Sequence, residues 1–154
     1  MLCVCIVAME VLAMKMTKIR THSELITLPT FKERFEYLKL DGRIGQSTFG
    51  FDRYLNQRFY SSQEWKRIRK SIILRDNGLD LGVEDHVIAG KIYIHHMNPI
   101  MSNDIIDQTE YLLNPEYLIS VAHITHNAIH YGDESLLPQP LVERRPNDTS
   151  PWRH

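Results

Sequence analysis

The segment IYIHHMNPI, residues 92–100, sets two adjacent histidines, His95 and His96, at the end of a β-branched and aromatic run that Pro99 stops. Such a run reads as a strand, and neighbouring side chains on a strand point to opposite faces. The two imidazoles are therefore expected on opposite sides of the chain, where they serve different tasks.

A second pair meets the first. His126 and His130 in HNAIH are four residues apart, so they fall on one face of a helix, one turn from each other. Two imidazoles so placed can grip one metal ion. A metalloprotease helix, H-E-x-x-H, uses the same spacing but needs a glutamate directly after the first histidine. Asn127 stands there instead, which excludes that class. What remains is a helix offering two ligands and a strand end offering one more, with the other strand-end histidine facing away.

Outward from these motifs, KIYIHH reads as a strand and residues 97–116 as a long loop with a turn of helix. YLISVA reads as a second strand, and HITHNAIHYG as a short helix ended by Gly132. Upstream, residues 61–78, SSQEWKRIRKSIILRDNG, form the clearest helix of the chain. Ser61 and Glu64 match an S-x-x-E capping box, Trp65, Ile68, Ile72 and Ile73 trace an apolar stripe, and Asn77-Gly78 ends it. Its other face carries Lys66, Arg67, Arg69 and Lys70, a solvated face and also the best phosphate-facing surface in the sequence. FKERFEYLKL, residues 31–40, predicts a further amphipathic helix through Phe31, Phe35 and Leu38, stopped by DGRIG. Residues 47–60, which mix a glycine with aromatics without a clear period, read as irregular structure leading into the next helix. No internal repeat appears.

With 154 residues, 43% hydrophobic and 24% charged, the chain fits one soluble globular domain. A net charge of -1 excludes a broadly basic nucleic-acid-coating protein but leaves room for a local basic patch. Cys3 and Cys5 offer no disulfide framework, which places the chain in a reducing, cytoplasmic compartment. The opening MLCVCIVAMEVLAMKM lacks a basic n-region, is broken by Glu10 and is too short to span a bilayer. It reads either as a start placed too early, with translation from Met14 or Met16, or as a small apolar element packed on the domain. No membrane association is expected. The proline-rich tail, 133–154, is expected to wrap the domain or stay mobile.

In their order and contexts, the HH pair at a strand end and the H-x-x-x-H on a short helix resemble the HNH nucleases with the ββα-metal fold. The histidine-rich version found in colicin-type nucleases and small phage HNH endonucleases is the nearest in pattern, over roughly residues 59–132. The resemblance implies that His95, His126 and His130 hold one divalent metal ion, with Mg, Mn, Ni or Zn as candidates, and that His96 is the general base. Many members have an asparagine just before the second strand, where Tyr117 stands here, and Asn114 is the available substitute for bracing the loop. Many also carry two C-x-x-C pairs, which this chain lacks, as the colicin-type proteins do.

Hydrolysis of a phosphodiester needs positioned charge against its own negative charge and its poor leaving group. An imidazole near its ordinary pKa of about 6.5 can take a proton from water at neutral pH. The remaining polar residues receive lesser roles: His123 a structural one at the helix start, Asn127 a hydrogen bond to backbone or phosphate, Asp85 and Asp104 support for a histidine or plain solvation. His22 and His86 have no partner pattern.

The expected protein is thus a small single-domain α+β chain with a ββα-metal core preceded by amphipathic helices. Its expected divisions are an apolar extension at 1–16, a helical or irregular region at 17–60, a nuclease core with its preceding helix at 61–132, and the tail. The expected function is metal-dependent hydrolysis of DNA by a phage or prophage HNH endonuclease, with DNA and phage packaging proteins as partners. The alternative is a non-catalytic, metal-stabilised DNA-binding or packaging-accessory module.

Overall fold

The computed structural model describes residues 18–40, 53–83, 86–100 and 102–137, with the backbone alone given at 53–56 and 102. The apolar opening, Asp85 and the tail beyond residue 137 lie outside the described residues. In chain order the elements are α1 (His22–Leu25), α2 (Phe31–Leu38), α3 (Arg53–Ser61), α4 (Gln63–Arg75), β1 (Leu79–Asp80), β2 (His86–Val87), β3 (Tyr93–His96), α5 (Ser102–Asp107), α6 (Glu110–Leu113), β4 (Leu118–Val121) and α7 (His123–Tyr131). A 3-10 turn, Pro115–Tyr117, leads into β4, and another, Glu134–Leu136, follows α7. The described residues therefore form a small α+β fold, with β1 antiparallel to β2 and β3 antiparallel to β4.

The β3-β4 pair organises the rest. Its register sets Tyr93 opposite Val121, Ile94 opposite Ser120, His95 opposite Ile119 and His96 opposite Leu118. Alternation then gives one face to Tyr93, His95, Ile119 and Val121 and the other to Ile94, His96, Leu118 and Ser120. Both faces are covered, which is why all four residues of β4 are buried and why LISV reads as an unbroken run. On the first face Ile119 and Val121 share a core with Leu25, Leu38, Leu40, Leu81, Met97 and Ile129. On the second, Leu118 packs with Trp65 and Ile72 of α4.

Several local expectations give way to the structure. Residues 53–61 are helical rather than irregular, and α3 packs on α4 and α5. That helix runs through Ser61, whose hydroxyl donates to the Arg58 carbonyl at 3.0 Å. The cap of α4 is accordingly Ser62, whose Oγ accepts from the Trp65 amide at 3.1 Å. The long loop after His96 holds two short helices, α5 and α6, tied by Thr109 donating to the Asp104 carboxylate at 2.8 Å. Asp104 thus braces this loop. The capping box that does form is at α2, between Thr30 and Glu33.

Two buried carboxylates fasten β4 and α7. Asp76 accepts from the Ser120 amide and hydroxyl at 2.8 and 2.9 Å. Asp80, 1% exposed, accepts from the Ala122 amide at 2.9 Å and the Thr125 hydroxyl at 2.6 Å, so it ties the start of α7 to the β1 strand. The loop after Asp80 approaches the helix so closely that a Cβ on Gly82 would lie 2.6 Å from the Thr125 methyl. Gly132, with φ of 65°, ends α7 in the left-handed region that suits glycine.

Candidate metal centre

His95 comes from β3, and His126 and His130 come from α7, which lies against that strand. Each offers one nitrogen to a group whose ligand atoms all lie within 4.8 Å of one another. The two helical Nε2 atoms are 3.2 Å apart, and nitrogens on a tetrahedral zinc at about 2.1 Å would sit about 3.4 Å apart. The His95 ring stands edge-on to both helical rings, with centroids 5.4 and 5.0 Å away. His95 Nε2 is the one buried side-chain polar atom among the described residues without a hydrogen-bond partner. Leaving such an atom unmade costs about 1–3 kcal/mol, and a metal ion would remove that cost. The donor set fits a divalent ion.

Electrostatics favours the same use. Burial, then the neighbouring His130 and His126 rings, holds His95 well below the usual imidazole value. His126 is pushed down to about 4 by burial and by His130, and His130 is lowered by burial. All three are therefore neutral at pH 7, the form that ligates a metal.

His96 faces the other way, as the alternation requires. Its Nε2 lies 3.1 Å from the Leu112 carbonyl, and a carbonyl only accepts, so Nε2 carries the proton and the lone pair sits on Nδ1. The Trp65 indole stacks on the ring at 5.4 Å, tilted by 16°. Burial pushes His96 down to about 4, against the raising effect of the Leu112 carbonyl. The expectation of an ordinary imidazole near 6.5 is thereby corrected: α4 and the loop before β4 cover this residue.

That loop is held by Asn114, which caps the 3-10 turn by accepting from the Glu116 amide at 3.0 Å. Tyr117 ends the turn, and its ring lies 4.9 Å from Tyr111. Asn127 is half-buried with its amide 3.5 Å from His123 Nε2. His123 begins α7, with its ring exposed and 5.1 Å from Tyr93. On α4, Lys66, Arg67 and Lys70 are exposed, whereas Arg69 is half-buried and donates to the Ile92 carbonyl at 2.9 Å. Three residues of the basic face thus point to solvent and the fourth clamps α4 to the β3 strand. His22 sits 3.9 Å from Asp76, and His86 pairs with Asp80 in the β1-β2 register, both away from the cluster.

Three contributors carry no sequence signal of the kind used above. The Leu112 carbonyl is backbone, the Trp65 stack on His96 looks like one more core contact, and Asp80 lies far from α7 in sequence. Comparison with protein-family models, with curated proteins and with solved structures gave no match to this chain. No helix among the described residues is long and apolar enough to cross a membrane.

The lowered values make the metal-free protein sensitive to acid. Between pH 6.5 and about 4 an unfolded imidazole binds a proton that the folded His96 and His126 refuse, so stability is present above this window and falls as pH drops through it. For His96 alone the loss by pH 4 is on the order of 3 kcal/mol. Thermal melts of metal-free protein should therefore drop steadily from pH 7 to pH 4, and less so for His96→Gln. A flat profile in the parent would contradict the neutral state of these half-buried rings.

Proposed function

We propose that the chain is a metal-dependent HNH endonuclease that hydrolyses DNA, with a ββα-metal core made of β3, β4 and α7. The observation that carries this reading is the convergence of His95, His126 and His130 on one face of the hairpin, beside an oriented His96 on the other. When bound, a divalent ion on three neutral imidazoles keeps its full charge and open positions, which supplies stabilisation to the scissile phosphate and the departing oxygen. His96 takes the proton of the attacking water at Nδ1, while Leu112 and Trp65 hold its ring in place. A base held near 4 is weak, and a phosphate anion alongside it favours the protonated form and raises it toward a useful value. Asn114 keeps the Leu112 loop in register with the hairpin.

Supercoiled plasmid incubated with the protein and Mg, Mn, Ni or Zn in turn should convert to nicked or linear forms, and His95→Ala should not support conversion. Absence of conversion with every metal, alongside tight metal and DNA binding, would favour the metal-stabilised DNA-binding module.

DNA is held in this reading by the exposed residues of α4. Arg67→Ala combined with Lys70→Ala should lower DNA affinity and flatten its salt dependence by about 0.9 per lost phosphate contact. Metal binding should be unchanged. Anisotropy titrations over a salt series check this, and an unchanged slope would return α4 to a solvated face.

A further inference from the structure

The metal-facing side of the hairpin continues past the histidines. The alternation that turns His95 toward α7 turns Tyr93 the same way, two residues earlier. The Tyr93 ring lies 5.1 Å from His123 and 5.6 Å from His126. Over its face, at 5.0 Å, sits the Lys91 ammonium. From α7, the Asn127 amide reaches to 3.5 Å from His123 Nε2. Lys91 and His123 are exposed and the other two half-buried. Together the four side chains form a ledge open to solvent that begins at His126, a member of the metal cluster.

The chemistry of this ledge is that of an anion acceptor. It presents an ammonium, an imidazole, a carboxamide and a phenol, all able to donate to oxygen. None of the ion pairs among the described residues involves Lys91. The ring beneath it orders a side chain that would otherwise lose freedom on binding. Arg69 of α4 bonds the carbonyl of Ile92, the residue after Lys91, so the basic helix is fastened to the same stretch of chain from the other face of the hairpin. A nucleic-acid strand with one phosphate at the histidine cluster must carry its next phosphate over an adjoining surface, and this one complements it in charge and donors.

We propose that Lys91, Tyr93, His123 and Asn127 bind the phosphodiester next to the scissile one on the same strand, an inference that rests on the nuclease reading above. The test compares Lys91→Gln and His123→Gln with the parent in two assays, cleavage and binding. Cleavage of a DNA duplex should fall about tenfold per variant, the cost of one charge-assisted contact. Hydrolysis of bis(p-nitrophenyl) phosphate, which has no neighbouring phosphate, should be retained. In the binding assay, metal-free Lys91→Gln should bind a labelled duplex with a salt slope shallower by about 0.9. Equal losses on both substrates would overturn the proposal by placing these residues at the metal, and no loss on either would reduce the ledge to packing. If the parent cleaves neither substrate the nuclease reading falls, and the salt slope alone then decides: shallower in Lys91→Gln keeps a phosphate-binding ledge, unchanged removes it.

Discussion

His96→Ala is expected to lower plasmid cleavage by roughly a hundred- to ten-thousandfold, the usual value of general-base assistance, while metal affinity stays close to that of the parent. The separation follows from the strand. His95 and His96 are adjacent, yet one faces His126 and His130 of α7, and the other faces Trp65 and the Leu112 carbonyl. Removing the second leaves the three clustered histidine nitrogens untouched. Alanine also leaves space under Trp65, so His96→Gln serves as the companion variant, because its amide can still donate to the Leu112 carbonyl but cannot take a proton at neutral pH. Both variants should lose cleavage, and the glutamine should keep more of the thermal stability. Cutting at near-parent rate by a folded His96→Gln would remove the general-base role.

The pH profile of that cleavage bears on the same residue. In the proposed mechanism every histidine of the site must be neutral, to ligate or to accept a proton, and burial holds His96 and His126 at about 4 in the metal-free protein. The acid limb of the rate is therefore expected below 6.5, the ordinary imidazole value.

What was legible in the sequence is what a fixed period reports. A period of two separated His95 from His96, and a period near 3.6 put His126 and His130 on one side of α7 and Trp65 and Ile72 on one side of α4. Such patterns survive because a buried face tolerates few exceptions. The short elements behaved differently. Helices α5 and α6 span six and four residues, too few for periodicity to show, and they exist through tertiary contacts and the Thr109-Asp104 bond. The choice between Ser61 and Ser62 as cap turned on where α3 ended, which no residue near the serines announces.

The ordering of the site was less legible still. Asp80 reaches α7 across more than forty residues of chain, and its role needs the close passage at Gly82. The neutrality of His96 depends on what covers it, which is a property of the packed fold and not of the histidine's neighbours in sequence. Arg75 is a further case, a basic residue whose sequence context leaves it open to solvent or to an anion. It instead donates to the Asp76 carboxylate and to the carbonyls of Pro115 and Leu118 at 2.6 to 2.7 Å, clamping the end of α4 to the start of β4.

At His95 the metal-free and metal-loaded proteins should respond in opposite directions. Its ring is 1% exposed and its Nε2 lacks a partner, so in the absence of metal it is a cost of about 1–3 kcal/mol. Replacing it by leucine removes that cost and keeps most of the volume, and metal-free His95→Leu is expected to melt at or above the parent. Adding Zn or Ni reverses the order. An ion that binds only the folded state contributes about 2.7 kcal/mol at a hundred times its Kd, which raises the melting temperature by roughly 10 °C for a domain of this size. The parent should show that rise and His95→Leu should not. His126→Ala and His130→Ala should lose it too, with metal affinity down by more than about a hundredfold, beyond what the loss of an outer supporting contact costs. Scanning calorimetry with and without each metal makes the comparison directly, and a parent whose melting temperature ignores all four candidate ions would mean that the three histidines do not form a metal site.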